Sequence, residues 1–247
     1  MIRLFTFIVF FICFISTSVL SHTIDLSDQL QSIQSKLEAL NSSDETIQKK
    51  NLKEIYLKSQ QVLLDHQTYL TKTQHYSEQL ANFPQQLENL EQQKNNVNLA
   101  QPNLSELRQL TLSEMVQRNI ETQAKLSEYQ NQQQKILSEI ATLREQTVTN
   151  HNELAAANSA RNAKSAELLP ELDLNDEKVV EALRIYETFL SQALADKVRM
   201  LELEVLALPK AAEIATLQEE FVLRPVIQQL IEESEWLAIE INLKRKA

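Results

Sequence analysis

Histidine and glutamate are the residues of this chain that could do chemistry, through metal binding or general acid–base catalysis. The four histidines are His22, His66, His75 and His151. A helix can hold a metal between two histidines that lie three or four residues apart, and no two of these have that spacing. The sequence therefore predicts no histidine metal site. His66 falls on the apolar seam of a helix, where a polar residue more often sets helix register than binds a metal.

Glutamates of the C-terminal part could in principle supply a general acid and a general base. The chain has 34 acidic residues, so we expect these glutamates to lie on solvated helix faces. No Ser-His-Asp arrangement can be inferred from local motifs. We predict that the protein is not an enzyme, that it has no catalytic, cofactor-binding or metal site, and that it takes no small-molecule substrate. The glutamates concerned are Glu202, Glu204, Glu219, Glu220, Glu232 and Glu233.

Glycine is absent from the 247 residues. Glycine forms the tight turns of β-hairpins and the loops that hold phosphates, so its absence excludes GxGxxG and GxxxxGKS loops and disfavours a β-rich fold. The formal net charge is −10, which disfavours nucleic acid, because binding it requires clustered Lys and Arg. The remaining class is an all-α protein.

Residues 1–21 have the layout of a secretory signal peptide, with one basic residue, an apolar run and then small polar residues. Val19 and Ser21 suit the positions before a cleavage site, so we expect cleavage after Ser21. Cleavage after Ser18 and an uncleaved membrane anchor are the alternatives. Cleavage would remove Cys13, the single cysteine, and leave no disulfide or thiolate ligand. An exported, cysteine-free helical chain fits the bacterial periplasm.

Apolar residues recur in alternate steps of three and four, the heptad spacing along which long helices pack. The first such seam is Leu26, Leu30, Ile33, Leu37 and Leu40. In the second, from Leu52 to Val97, ten of the 14 positions are apolar or tyrosine. The third follows a capping box formed by Thr111 and Glu114, and includes Leu112, Met115, Leu126, Tyr129, Ile136, Ile140, Leu143 and Leu154.

Composition divides the chain into three segments. A Gln/Asn-rich long-helix coiled-coil region at 22–170 follows the signal peptide and holds most of the 42 Asn and Gln, of which 28 lie between residues 51 and 150. A Leu-rich helical region follows at 171–247. Pro170 is expected to end one helix, and Asp173 or Asn175 to cap the next. The expected arrangement is an extended coiled coil or helical bundle.

Prolines stand inside two of the predicted helices, at Pro84 and Pro209, and proline in a helix interior costs about 3 kcal/mol. We expect these prolines to form elbows or kinks without glycine. A tolerated kink without function is the alternative. Pro225, which follows them, raises the same question.

Two features near the C-terminus allow two interpretations each. Trp236 is expected in interhelix packing, with contact to a partner protein as the alternative. The basic run Lys244, Arg245 and Lys246 suits the negative end of a helix dipole, and it also suits anionic lipid headgroups.

The passage LELEVLALPKAAEIATLQEEF resembles a recurring passage of the periplasmic N-terminal domain of large mechanosensitive channels of the MscS superfamily. Tyr76 to Leu90 and Leu110 to Gln133 are similar to two further passages of that domain, in the same order. The resemblance covers about residues 25 to 246. Its matching residues in the first passage are Leu201, Glu202, Leu203, Leu206, Leu208, Pro209 and Leu217.

The resemblance implies a periplasmic all-helical domain, which in this family precedes membrane helices and a channel pore. Since this chain lacks those parts, we expect a truncated or split channel, or a free-standing relative. Its expected role is a structural or regulatory extension in osmotic-stress efflux, with no pore of its own. Expected partners are membrane channel subunits or another envelope protein, which would associate it with the inner membrane, and homo-oligomerisation is a further option. The alternative is a free-standing periplasmic coiled-coil adaptor or tether between envelope components.

Overall fold

The computed structural model describes residues 26–40, 47–96, 104–163 and 176–246. The predicted signal peptide, residues 1–21, lies outside the described residues. The described residues are 98% helical and include no strand. The prediction of an all-α fold with long helices packed against each other is confirmed, and coiled-coil winding of these helices stays a prediction.

The helices are named in chain order. They are α1 (26–40), α2 (Ile47–Asn96), α3 (Leu104–Gln109), α4 (Leu112–Asn162), α5 (Glu177–Gln218) and α6 (Arg224–Lys246), with a π-helical turn (Glu219–Leu223) between α5 and α6.

The chain forms two compact units, and α2, α4 and α5 each contribute one stretch to each unit. Unit 1 consists of Met1–Glu78 and Thr149–Val205, and unit 2 of Gln79–Val148 and Leu206–Ala247. Each unit thus takes residues from both sides of residue 170. The sequence-based division into 22–170 and 171–247 follows composition along the chain, and as a division into domains it stays a prediction.

The core of unit 1 lies between α1, α2 and α5. Ile33 of α1, Ile55 and Leu63 of α2, and Val179 and Ala182 of α5 are all buried in one cluster. Ile33 and Ile55 occupy predicted seam positions, whereas the steps of three and four from Leu52 reach Val62 and the structure buries Leu63 instead. Burial of apolar area holds the three helices together. A second cluster of unit 1 joins the alanine-rich end of α4 to α5 and contains Ala157, Val198, Met200 and Leu201.

The core of unit 2 joins α3, α4 and α6. Met115 of α4 and Leu237 of α6 are fully buried. Ile241 completes this cluster, and Trp236 packs against it. The interhelix-packing interpretation of Trp236 is therefore confirmed.

Polar residues occupy several seam positions. On α2 the buried seam residues include Ser59, His66 and Thr73. The seam of α4 runs in unbroken heptad steps from Met115 to Ala157 and includes five polar residues that the apolar pattern missed, namely Asn119, Thr122, Gln133, Thr147 and Asn150. Leu112, predicted on this seam, is 36% exposed, so that prediction is wrong: Leu112 is the first residue of α4.

Side chains cap the starts of two helices. The capping box is confirmed, because the Thr111 backbone N–H donates to Glu114 Oε2 at 2.7 Å and the Glu114 N–H donates to Thr111 Oγ1 at 3.3 Å. The α5 cap differs from the prediction. The Lys178 N–H donates to Asp176 Oδ1 at 2.9 Å, so Asp176 caps α5, and the predicted caps Asp173 and Asn175 lie outside the described residues. An acidic oxygen at this position satisfies an amide that has no partner within the helix.

The prolines inside the described helices do not end them, and Pro170, which is predicted to end a helix, lies outside the described residues. Pro84 lies inside α2 and Pro209 inside α5, and an elbow at either position stays a prediction. Pro225 directly follows the first residue of α6, and the π-helical turn occupies the five residues before that helix. A proline ring crowds the preceding turn and donates no hydrogen bond. A turn widened by one residue, with the Arg224 N–H bonded to the Glu219 carbonyl, adapts the chain to that constraint.

Replacing Pro84 by alanine tests the elbow. If the proline is only tolerated, Pro84→Ala restores the missing amide donor inside α2 and raises the free energy of unfolding by about 2 kcal/mol. Urea unfolding followed by circular dichroism measures the change, with Gln86→Ala as a control on the same helix. A loss of stability in Pro84→Ala alone would instead show that packing requires the local geometry of the proline.

Candidate functional site

The structure does not bring the predicted chemical residues together into one site. His22 lies outside the described residues. His75 and His151 are exposed, and the His75 ring lies beside that of Tyr76, with 5.5 Å between the ring centroids. His66 is 4% exposed and faces α5. Within the described ranges, no group of three or more His, Cys, Asp or Glu could hold a metal ion.

Two polar contacts join α2 to α5 in unit 1. His66 Nε2 lies 2.6 Å from Asp196 Oδ2. The Tyr76 hydroxyl donates to Glu204 Oε1. Burial, and then the hydrogen bond and negative charge of Glu204, raise the pKa of Tyr76, so this phenol stays a donor at neutral pH. The residue numbers of the partners increase together, from His66 to Tyr76 on α2 and from Asp196 to Glu204 on α5, so the two helices are parallel here.

The six glutamates fall into different environments. Glu202, Glu220 and Glu232 are exposed, as predicted. Glu219 is only 4% exposed and Glu233 only 5%. The prediction that these glutamates lie on solvated helix faces is therefore wrong for these two residues. An unpaired buried carboxylate is costly, and a buried position therefore needs a cation or several donors. Both residues have such partners in unit 2.

Glu219, at the start of the π-helical turn, accepts hydrogen bonds from two helices. Arg224 donates from Nη2 to Oε2 at 2.6 Å and from Nε to Oε1 at 3.3 Å, and Gln133 of α4 donates to Oε1 at 2.7 Å. Burial acts to raise the pKa of Glu219, but the hydrogen bonds from Arg224 and Gln133 and the charge of Arg224 outweigh it and lower the pKa below its ordinary value. The carboxylate is thus ionised and bridges α4 to the π-helical turn.

Glu233 of α6 makes the second bridge to α4. Arg118 Nε donates to Glu233 Oε1 at 2.6 Å, and the Thr122 hydroxyl donates to the same oxygen at 3.1 Å. Beside them the Ser234 hydroxyl donates to Asn119 Oδ1 at 3.1 Å. From Glu219 to Glu233 the α4 partner changes from Gln133 to Arg118, so the residue numbers of the partners decrease along α4. α4 is therefore antiparallel to this part of the chain.

These contacts favour the observed register of α4 over its displacement by seven residues. Displacing α4 by seven residues would keep its seam facing the same neighbours, yet it would set Leu126 or Ile140 opposite Glu219. The same displacement would set Met115 or Tyr129 opposite Glu233. Either displacement removes the Gln133 donor of Glu219, which keeps its bonds to Arg224. The displacement that sets Met115 opposite Glu233 also puts Thr111 in the place of Arg118, and loss of that cation costs about 3–5 kcal/mol by the general estimate for a broken buried pair. The opposite displacement would offer Lys125 and Tyr129 to Glu233. Polar seam positions fix helix register in this way.

Cation–π contacts hold α2 in unit 2. The Lys94 ammonium lies 4.1 Å from the centroid of the Phe221 ring, in the π-helical turn, and Lys210 lies 4.4 Å from that of Phe83. Each such contact is worth about 0.5–1 kcal/mol at an exposed position. The π-helical turn is thus held from α2 through Phe221 and from α4 through Glu219.

The arrangement favours a structural role for the buried carboxylates. Their oxygens face guanidinium, amide and hydroxyl donors rather than an open cavity. A groove of about 390 Å³ lies elsewhere in unit 2, between α4 and α5, where Arg144, Pro209 and Glu213 line it. Neither buried carboxylate lines that groove.

Lys244 binds the end of another helix. Its ammonium donates to the carbonyl of Arg108, in α3, at 3.4 Å and to that of Leu110. The expected interaction of this basic run with a negative helix end is therefore found for Lys244, at the end of α3. The last carbonyls of a helix have no partner within that helix, and in many proteins a glycine-containing cap provides their hydrogen-bond donors. At the end of α3 the Lys244 ammonium provides them.

Comparison with known proteins identifies the family. The family model described as mechanosensitive ion channel porin domain matches residues 25–247. The chain belongs to this family. Comparisons with curated proteins and with solved structures returned no match. The resemblance read from the sequence is thus confirmed, and in this porin domain none of the described helices combines the length and apolar character needed to cross a bilayer.

Loss of Arg118 should destabilise the porin domain. Arg118→Ala leaves Glu233 buried with a hydroxyl donor alone, so we expect the free energy of unfolding to fall by about 2 kcal/mol. Lys125→Ala, an exposed change on the same helix, should stay within about 0.5 kcal/mol. Adding Glu233→Leu to Arg118→Ala should recover most of the loss, because no charge is then buried. Urea unfolding measures all three, and equal effects of Arg118→Ala and Lys125→Ala would contradict the bridge.

The lowered pKa of Glu219 predicts a specific acid sensitivity. Its ionised form stabilises the fold above the unfolded pKa, and this contribution is lost as the pH falls through the lower folded pKa. The stability difference between wild type and Glu219→Gln should therefore be constant above about pH 5.5 and should shrink below about pH 4.3. Unfolding measured across this range tests it. Glu139→Gln, at an exposed position of α4, is the control, and equal slopes for the two variants would refute the assignment.

Proposed function

We propose that this porin domain acts in the periplasm as a structural and regulatory extension of a mechanosensitive channel, in the release of solutes under osmotic stress. The observation that carries the proposal is the family match across residues 25–247. The proposal includes export by residues 1–21, cleavage after Ser21, association with the inner membrane through a channel subunit, and no catalytic role.

The proposed role needs no pore formed by this chain. The outward faces of α2 and α4 are rich in amide and charged side chains, such as Gln61, Glu78, Gln117 and Glu121. A bilayer would have to accept these groups at high cost. We therefore assign ion conduction to the partner and a bracing or modulating role to this chain.

Modulation requires unequal contacts. A protein that binds the closed and the open channel with equal affinity does not change the ratio of open to closed channels. A difference of about 1–3 kcal/mol between the two binding free energies changes that ratio about 5- to 150-fold. Unit 2, whose helices are joined by buried bridges, can supply such a difference, because it presents a surface of constant shape to a partner that moves. The buried bridges of Glu219 and Glu233 support this part of the proposal.

Patch-clamp recording tests the function. The chain is expressed in cells that lack their own mechanosensitive channels, alone and together with an MscS-superfamily channel from which the porin domain has been removed. We expect no tension-gated current from the chain alone and a shifted pressure threshold when both are present. An unrelated periplasmic protein expressed with the same channel is the control, and mass spectrometry of the periplasmic fraction locates the cleavage site.

Two results would overturn the proposal. Tension-gated currents from the chain alone would show that it forms a pore. Failure to cross-link to the channel, together with an unchanged threshold, would favour the adaptor or tether between envelope components.

A further inference from the structure

The end of α6 exposes apolar side chains on its outward face. Ile239 is 60% exposed and Leu243 57%. With Lys246 they are spaced by four and three residues, so the three side chains lie on one face of the helix. The opposite face is the core side, where Leu237 and Ile241 are buried.

Basic side chains surround this face. Lys244, Arg245 and Lys246 form the last turn of α6, and the bonds of Lys244 to the Arg108 and Leu110 carbonyls place the end of α3 beside it. The Arg108 side chain is 68% exposed, and its Nε lies 3.8 Å from Glu240 Oε1. We call Arg108, Ile239, Leu243, Lys244, Arg245 and Lys246 together the α3–α6 end.

The charge of the α3–α6 end is opposite to that of the chain. The whole chain has a net charge of −10, whereas among the described side chains this end has four cations and two neighbouring carboxylates, Glu240 beside Arg108 and Glu114 near Lys244. On the outward face of α6, acidic Glu235 lies one turn before Ile239. A negatively charged surface would therefore attract the final turns of α6 more than the turns before them.

We propose that the α3–α6 end of unit 2 binds the surface of an anionic lipid bilayer. Ile239 and Leu243 enter the headgroup region, while Arg108, Arg245 and Lys246 contact lipid phosphates. Apolar side chains flanked by Lys and Arg are typical of helices that lie at a membrane surface, and long basic side chains can extend from apolar surroundings to phosphates. This binding goes beyond the proposed function and requires no channel partner.

A bilayer suits this surface better than a folded protein partner does. The two apolar side chains project from the convex face of a single helix. A specific protein interface needs about 1,000 Å² of complementary surface. The fluid headgroup region of a bilayer accepts single side chains from a convex surface, and its negative potential strengthens binding about fivefold for each Lys or Arg close to it.

Vesicle co-sedimentation tests the proposal. The full chain, purified after export, is mixed with vesicles of neutral phosphatidylcholine and with vesicles that also contain phosphatidylglycerol. We expect tighter binding to the anionic vesicles, and loss of that preference in about 1 M salt, where the screening length is about 3 Å. Neutral vesicles are the reference, because an uncleaved N-terminal segment would contribute to both measurements.

Matched variants locate the site. Arg245→Gln with Lys246→Gln should weaken binding to anionic vesicles about 25-fold, whereas Lys125→Gln with Lys135→Gln, the same charge change on exposed positions of α4, should leave it unchanged. Ile239→Ser with Leu243→Ser should weaken it about tenfold. The control for that pair is Ile120→Ser with Leu137→Ser, which changes two other exposed apolar residues of unit 2. Circular dichroism checks that each variant keeps its helices.

Three results would each overturn the proposal. They are equal binding to neutral and anionic vesicles, equal effects of the α6 changes and the α4 controls, and full binding in the Ile239→Ser, Leu243→Ser variant. The last would mean that charge alone attracts the chain and that α6 does not enter the headgroup region. None of these results depends on a channel, so the proposed function is tested separately.

Discussion

The need to pair two buried carboxylates is the constraint on which unit 2 depends. Heptad seams alone allow α4 to pack in several positions that differ by seven residues, because each displacement sets apolar residues against apolar residues again. Glu219 and Glu233 reduce this freedom, because displacement by seven residues in either direction removes the Gln133 donor of Glu219, and displacement in one direction also removes the Arg118 cation of Glu233. The bridges therefore contribute specificity, even where their net contribution to stability is small.

Local patterns of the sequence predicted what depends on near neighbours. The all-α fold, the buried seams, the Thr111–Glu114 capping box and the packing of Trp236 follow from spacings of three to seven residues. The buried glutamates could not be found in this way, because Glu219 and its α4 partner Gln133 are 86 residues apart. The usable signal was the heptad position of Thr122 and Gln133, which an apolar-only pattern passes over. The boundaries of the two units cross continuous helices, so no local pattern of the sequence marks them.

Unit 1 is held in register by polar contacts and the apolar core together. A displacement of α2 by seven residues along α5 in one direction would set Thr73 opposite Asp196 and Phe83, which has no donor, opposite Glu204. The opposite displacement would set Ser59 and Tyr69 opposite the same two acceptors, so both would face a hydroxyl. The apolar core opposes this second displacement, because the place of Ile55, which is 1% exposed, would be taken by Gln48.

The antiparallel direction of α4 has a mechanical consequence. A force directed along the axis of α6 and opposed on α4 would act on the bridges of Glu219 and Glu233 in shear, so the bonds to Gln133, Arg118 and Thr122 would share the load and would have to break together. A force perpendicular to the helices would peel them apart and break the same bonds one after another. The interface should consequently be stiff along its length and weak across it, with a rupture force that depends on the direction of pulling.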